Sequence, residues 1–312
     1  VTVSYASDGQ TDQVFTYFGF RDVCTRDGKT LLNHRPIYQR LILHQGYYDG
    51  GLLTADTDER YRTDLQTIKD MGFNGVRMHQ KIEDPLFYYW ADKIGLLVWG
   101  ELPSCYEFSE LAMRRSFESM REFIQRDYNH PSIVCWVPLN ESWGVRNIEQ
   151  NAAQQRYAVS LYHFIKAMDA TRWVSTNDGW EQVTTDFCTL HDYSFDGKAL
   201  SSRWDDLDAL LQSAAQDRMI FASGYQYTGQ PILLTEFGGA AFKTNQSEKD
   251  WGYCAIEKNE ASYIRRLTSL FNYIKTNRRI QGYCYTQFTD VMQETNGLLS
   301  IRREPKIAID AI

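Results

Sequence analysis

No apolar stretch in this sequence approaches the roughly 18 residues that a membrane-spanning helix needs. The longest runs, such as residues 94–99, are strand-sized. Net positive charge is also absent. The formal charge is −7, a balance that repels nucleic acid and anionic lipid, so neither is an expected partner. The six cysteines, at 24, 105, 135, 188, 254 and 284, include no close pair, which excludes zinc sites of the C-x-x-C kind. There is no H-E-x-x-H, no H-x-H on the first strand, and no glycine-rich loop after it to cradle a phosphate. No metal and no cofactor is therefore expected. The N-terminus carries no signal peptide and begins with Val rather than Met, which reads as an excised fragment. Cys135, Cys188 and Cys284 each lie in an apolar run and are expected as buried free thiols. That favours a reducing compartment, the cytoplasm, over an oxidising one.

What is present is an ordinary globular composition, 43% hydrophobic and 23% charged, with aromatics at 14% including 8 Trp and 20 Tyr. Aromatic rings pack on the apolar faces of sugars and equally well in a core. Short Val/Ile/Leu-rich runs predict strands at 37–43, 74–78, 96–99, 133–138, 173–176, 187–190, 231–235 and 281–286. Helical spacing fills most of the gaps. Its apolar stripes are Tyr61, Leu65, Ile68 and Met71; Leu111, Phe117, Met120, Ile124 and Tyr128; Tyr157, Leu161, Phe164 and Met168; and Ile264, Leu267, Phe271 and Ile274. Eight strands separated mostly by helices imply parallel pairing and an α/β fold, the (β/α)8 TIM barrel, with an open doubly wound sheet as runner-up. Residues 1–24 do not fit the barrel. Val1, Val3 and Tyr5 alternate, a second strand-like run follows at 14–20, and the segment reads as a lead-in to a barrel over 25–312.

In such a barrel the reactive groups sit at the C-terminal strand ends. Those ends are polar at nearly every strand: His44-Gln45, Arg77-Met78-His79, Gly100-Glu101, Asn140-Glu141, Asn177-Asp178 with Trp180 after it, His191-Asp192-Tyr193, Thr235-Glu236, and Gln287 with Asp290 beyond. Glu141 and Glu236 stand out because each follows a nearly uncharged strand of the buried type. A carboxylate there is costly unless it is paired. Two carboxylates facing each other across a site are the minimal machinery for glycoside hydrolysis. One must carry a proton and the other must be ionised, so their environments must differ. Salt-bridged structural glutamates are an equal alternative on this ground alone. His44, His79 and His191 raise a metal-hydrolase reading, but hydrogen bonding to sugar hydroxyls suits them better. Arg77, beside His79, is placed to bond carboxylates in the mouth.

The run "RDYNHPSIVCWVPLNESWG" resembles the acid/base signature of glycoside hydrolase family 2, and "PILLTEFGG" is similar to that family's nucleophile strand. "FGFRDV", "LLNHRPIYQRLILHQGYY", "MGFNGVRMHQ", "GLLVWGELP" and "TQFTDVMQETNGLLS" extend the match from about Phe18 to the C-terminus. The resemblance implies Glu141 as general acid/base, Glu236 as nucleophile and Asn140 as a hydrogen-bond partner of the sugar 2-hydroxyl. It also implies Tyr193 as a hydrogen-bond partner of the nucleophile and His191 as a sugar contact. His79, Arg77, Glu101, Trp180 and Gln287 complete the expected binding set. Where the family often places a Trp on strand eight, this chain reads Tyr285-Thr286-Gln287, and the Asn-x-Lys pair of glucuronide recognition is missing. A retaining exo-β-glycosidase of β-galactosidase type is the resulting expectation. β-Sandwich domains are expected upstream, with residues 1–17 as the tail of the last one, and a homo-oligomer is compatible with this. A catalytically silent carbohydrate-binding barrel is the competing reading, although a binding module needs neither glutamate. Activity that survives a chelator counts against the metal reading.

Overall fold

The computed structural model describes residues 2–212, 214–215, 218–242 and 247–309. Eight parallel strands form one sheet: β1 (Gln39–His44), β2 (Gly75–Met78), β3 (Leu97–Glu101), β4 (Ile133–Val137), β5 (Trp173–Val174), β6 (Cys188–Asp192), β7 (Ile232–Gly238) and β8 (Ile280–Thr286). Their hydrogen-bonded order is β5-β4-β3-β2-β1-β8-β7-β6. That order is cyclic, since the two outer strands, β5 and β6, follow one another in the chain. No ladder joins them among the described residues. The gap is bridged from the segment between them, where Asp186 N donates to Val174 O at 3.0 Å and Thr189 N to Gln182 Oε1 at 3.0 Å. This is the TIM barrel that the alternation of strands and helices predicts.

The helices are α1 (Asp58–Asp70), α2 (Pro85–Ile94), α3 (Glu110–Asp127), α4 (Ala152–Met168), α5 (Gly197–Trp204), α6 (Leu207–Gln212) and α7 (Glu260–Thr276). α2 shows how local chemistry sets the boundaries. Asp84 caps its N-terminus by accepting from Leu86 N at 2.8 Å, Pro85 occupies the first turn, and Gly95 ends it at φ +79. The predicted stripes bury Leu65 and Ile68, Met120 and Ile124, Leu161, and Leu267 and Ile274. Leu111 and Tyr128, read into the α3 stripe, are exposed, because they sit at the helix ends where the face turns away from the sheet. Between β5 and β6 the described chain forms no helix. Asn177–Asp178 instead pairs in parallel with Leu139–Asn140 just beyond β4.

Strand side chains divide between two compartments. Leu41, Leu43, Trp99, Cys135, Leu233 and Cys284 fill the barrel interior, with Trp99 stacked on Phe187 at 5.2 Å. Ile42, Val76, Val98 and Leu234 face the helices. The alternation is the period of two expected of a sheet buried on both faces. All six cysteines are free. Ahead of β1 lie an exposed hairpin, Thr2–Ser7 with Gln10–Phe15, and a three-stranded antiparallel sheet, Val23–Arg26, Lys29–Leu32 and Arg35–Pro36. Val1, the first residue of the predicted alternating strand, and residues 310–312 lie outside the described residues. Arg21 ties the lead-in to the barrel by donating to Pro131 O (3.2 Å) and Ile133 O (2.8 Å).

Candidate active site

The polar strand ends converge on Arg77. Its guanidinium is fully buried and uses the fork geometry of Arg in several directions at once. Nε donates to Glu101 Oε2 (2.9 Å), Nη1 to Glu236 Oε1 (2.9 Å) and Thr235 O (3.2 Å), and Nη2 to Asn140 Oδ1 (2.7 Å). Nη1 also lies 2.8 Å from Asp178 Oδ2. One cation thus organises side chains from β2, β3, β7 and the segments after β4 and β5.

His191 is the second organiser. Its Nδ1–H donates to Glu141 Oε1 (2.7 Å) and its Nε2–H to Asp178 Oδ2 (2.9 Å), while Glu236 Oε2 stands 3.5 Å from Nδ1. Parallel pairing of β6 with β7 sets His191 beside Glu236, at a register shift that re-aims the strand. Gly179, at φ +101, passes so close beneath the ring that a Cβ there would sit 2.7 Å from His191 Nδ1. Glycine is required at that approach.

Glu141 is held in an unusual turn. It and Ser142 both have positive φ, +50 and +56. Such conformations persist only where neighbours over-determine them. Here Glu141 N donates to Asp178 O (2.9 Å), Ser142 N to Asn177 Oδ1 (3.0 Å) and Ser142 Oγ to Glu181 Oε2 (2.5 Å). Tyr193 OH donates to Glu236 Oε2 at 2.5 Å and stacks on Tyr253, with ring centroids 4.4 Å apart. Oxygens of Glu141 and Glu236 lie within 4.8 Å of each other and of a His191 nitrogen. Three donors that close could share a cation. As it stands the cluster is a closed hydrogen-bond network, because both imidazole nitrogens are engaged by carboxylates.

Burial works against a charge on His191, but Glu236 and the bonds to Asp178 and Glu141 outweigh it and push the imidazole up to about 10. Burial would likewise raise Asp178, yet Arg77 and His191 hold it below the usual carboxylate range. Glu141 is lowered in the same way. Burial opposes its charge, and His191, then His79 and Arg77, more than compensate. His79 is raised by Glu101 in spite of its burial. Glu141 is thus held toward its ionised form, with His191 as its cationic partner. With its imidazole pushed up, His191 is the donor in the contact with Glu141.

A group whose value rises on folding stabilises fully below its unfolded value, and that stabilisation is lost as the pH climbs through the folded one. For His191 the window runs from 6.5 to about 10. The urea midpoint should fall across that window, and His191→Asn should flatten the fall. A midpoint that is flat between neutral pH and 10 in the unmodified protein would show that His191 does not carry this charge.

All ten sequence-predicted residues lie at or beside this end of the barrel. Arg77, Glu101, Asn140, Glu141, His191, Tyr193 and Glu236 form one connected network. His79 joins through Glu101, with Nδ1 3.3 Å from Oε1. Trp180 packs edge-on to His191 at 5.5 Å. Gln287 reaches neither central glutamate. It bonds Gln45, Glu294 and Asn296 on the β8–β1 side. His44 does not belong to the mouth, because its side chain turns outward to Asp64 of α1, 3.4 Å away, in a fully buried pair. That removes the grouping of three histidines around one ion. Tyr285, the first of the three residues Tyr285-Thr286-Gln287 that stand where the family often places a Trp, also points outward and meets Tyr263 OH at 3.1 Å. Asp178, Tyr253 and Glu294 were not singled out from the sequence. Asp178 carried a signal, its place at a strand end. Tyr253 and Glu294 sit in long loops and carried none.

The match to known proteins agrees with this geometry. Residues 23–308 match the model of the glycosyl hydrolases family 2 TIM barrel domain. Among curated relatives, a β-glucuronidase of Streptococcus agalactiae is 28% identical over 96% of this chain and 53% of its own length. A β-galactosidase of Thermoanaerobacterium thermosulfurigenes is 26% identical over 81% of this chain and 33% of its own length. Both relatives are thus considerably longer than this chain. In fold, the chain is similar to a β-galacturonidase of Eisenbergiella tayi solved with galacturonate, at TM-score 0.74 and 22% identity over 96% of this chain and 54% of that one. It is also similar to the β-D-glucuronidase of Dictyoglomus thermophilum, at TM-score 0.78 and 19% identity over 99% of this chain and 55% of that one. With 23–308 matched, the chain belongs to the TIM barrel domain family of glycoside hydrolase family 2.

Proposed function

We propose that this chain is the catalytic barrel of a retaining exo-β-glycosidase of β-galactosidase type, with Glu236 as nucleophile and Glu141 as general acid/base. The observation that carries the reading is the approach of Glu141 and Glu236 to within 4.8 Å across one mouth. Retaining enzymes separate their carboxyls by roughly 5–5.5 Å and inverting ones by about 6.5–9.5 Å, to admit a water. Glu236, oriented by Arg77 and Tyr193, attacks the anomeric carbon. Glu141 protonates the departing oxygen and then activates the water that releases the sugar. The proton reaches Glu141 Oε1 from His191 Nδ1 over 2.7 Å. Asn140, with its carbonyl oxygen committed to Arg77, turns its amide N–H groups to the sugar. The exposed apolar residues of the lead-in, Val3, Tyr5, Val14, Phe15 and Phe20, support a further domain seated there in the whole protein.

The test is a panel of aryl β-glycosides assayed on the whole protein, with a chelator arm to separate metal-dependent hydrolysis. Glu141→Ala should lose about 10²–10⁴-fold on substrates with poor leaving groups, the usual worth of a general acid. It should largely spare glycosylation by dinitrophenyl glycosides, which need no proton. Added azide should rescue it with retained configuration. Equal losses on both substrate types would remove Glu141 from the acid role.

A further inference from the structure

Glu294 is a buried carboxylate at the mouth of the barrel, and the reaction outlined above makes no use of it. Its backbone is pinned by paired hydrogen bonds with Val291 (2.9 and 3.0 Å), and its neighbours are pinned by Trp251, whose N donates to Gln293 O (2.9 Å) and whose O accepts from Thr295 N (3.0 Å). Its side chain is aimed by neutral amides. Gln287 Nε2 (3.0 Å) and Asn296 Nδ2 (3.3 Å) donate to Oε1, and Gln45 Nε2 (3.2 Å) donates to Oε2. Gln45 and Gln287 follow β1 and β8, so the carboxylate lies on the catalytic face of the barrel. It also adjoins Tyr253, the ring stacked on Tyr193, which in turn bonds Glu236.

Among the described residues, no Lys, Arg or His lies within ion-pair distance of Glu294. A buried carboxylate is ordinarily paired; here the donors in contact with it are neutral, and His79 acts on it from beyond ion-pair distance, so much of its negative field is left for whatever enters beside it. A sugar hydroxyl can donate to Oε2. A uronic acid offers lone pairs and a second negative charge at the same place. Arg77 cannot offset that charge, because its donors are already taken by Glu101, Glu236, Thr235 and Asn140. Burial already pushes the Glu294 carboxyl up, so a second anion beside it costs either the repulsion of two buried carboxylates or the uptake of a proton to be shared between them.

We propose that Glu294, positioned by Gln45, Gln287 and Asn296, is a specificity-determining residue that accepts from a hydroxyl of a neutral β-linked sugar and rejects uronic acids. The proposal rests on the glycosidase reading above and narrows its substrate class. It separates this chain from relatives whose names carry glucuronide or galacturonide activity. The experiment compares kcat/KM for p-nitrophenyl β-galactoside, β-glucoside, β-galacturonide and β-glucuronide in the whole protein, Glu294→Gln and Glu294→Asp. The neutral substrates should lead the uronides by about 10²-fold or more in the unmodified protein, within the range over which a mispaired buried polar group discriminates. Glu294→Gln should narrow that ratio roughly tenfold, chiefly through KM of the uronide. Glu294→Asp keeps the charge and should keep the discrimination. A ratio unmoved by Glu294→Gln in a variant with an unchanged circular-dichroism spectrum would overturn the assignment while leaving the glycosidase reading intact; uronides preferred by the unmodified protein would overturn the assignment and the β-galactosidase type, leaving the two-glutamate hydrolysis. No turnover of either class would overturn the glycosidase reading and this one with it.

Discussion

Replacing Glu236 by alanine is expected to abolish turnover of every glycoside, by roughly 10⁴-fold or more, the scale on which removal of a covalent nucleophile acts. The loss should not depend on the leaving group. On the proposed double displacement, no glycosyl-enzyme forms without the carboxylate, and an activated aglycone does not restore it. This separates Glu236 from Glu141, whose removal a dinitrophenyl leaving group masks. Azide supplies the second contrast. In Glu236→Ala it enters from the vacated face, attacks the anomeric carbon directly and gives the inverted glycosyl azide. Product configuration by NMR, on the whole protein, is the measurement. Retained product from Glu236→Ala would mean that the acid and the nucleophile are reversed. The polar supports of Glu236, Arg77 Nη1 at 2.9 Å and Tyr193 OH at 2.5 Å, are left unsubstituted in the variant, so the comparison isolates the Glu236 carboxylate.

The second large effect is on the fold. Arg77→Met should cost about 3–5 kcal/mol, the range for breaking a buried ion pair by removing one partner. Against a total stability of about 5–15 kcal/mol, that brings the protein to the edge of unfolding. The reason is the number of anions that depend on one guanidinium. Glu101, Asp178 and Glu236 are all buried and all within 2.9 Å of Arg77 nitrogens. With Arg77 gone, His191 and His79 are the cations left facing them among the described residues. Arg77→Lys keeps the charge but reaches one carboxylate at a time, so it should fold better than Arg77→Met and still leave Glu236 and Asn140 misaimed. Urea denaturation at neutral pH measures both variants. An Arg77→Met midpoint equal to that of the unmodified protein would mean that the carboxylates are solvated, and that this arrangement of the mouth is wrong.

The centre of the site was more legible in the sequence than its rim. Glu141 and Glu236 could be singled out because each interrupts an apolar strand at its C-terminal end, where the price of desolvation makes an unexplained carboxylate conspicuous. Arg77, His191 and Tyr193 were visible for the same positional reason. Their individual partners were not. Whether a strand-end side chain points into the mouth depends on register and bulges, which pairing between distant strands decides. His44 shows the difference. By sequence it ends β1 as plausibly as Arg77 and His79 mark the end of β2, but the pleat turns it outward to Asp64.

The strands, most of the helices and the closure into a barrel follow from the sequence, because period-two and period-3.6 patterns are local and eight alternating units leave few topologies. The two central glutamates follow from it as well. Three features belong to the tertiary structure alone. Asp178 becomes the counterpart of both Arg77 and His191 only because Asn177–Asp178 pairs beside Leu139–Asn140 in place of a helix after β5. His191 is pushed up because carboxylates from β7 and from the segments after β4 and β5 surround one imidazole, a summed field that no stretch of sequence contains. Glu294 comes to the rim through a long loop whose path is fixed by Trp251 and Val291. A loop has no period to read, and only long-range contacts decide where it brings a charge.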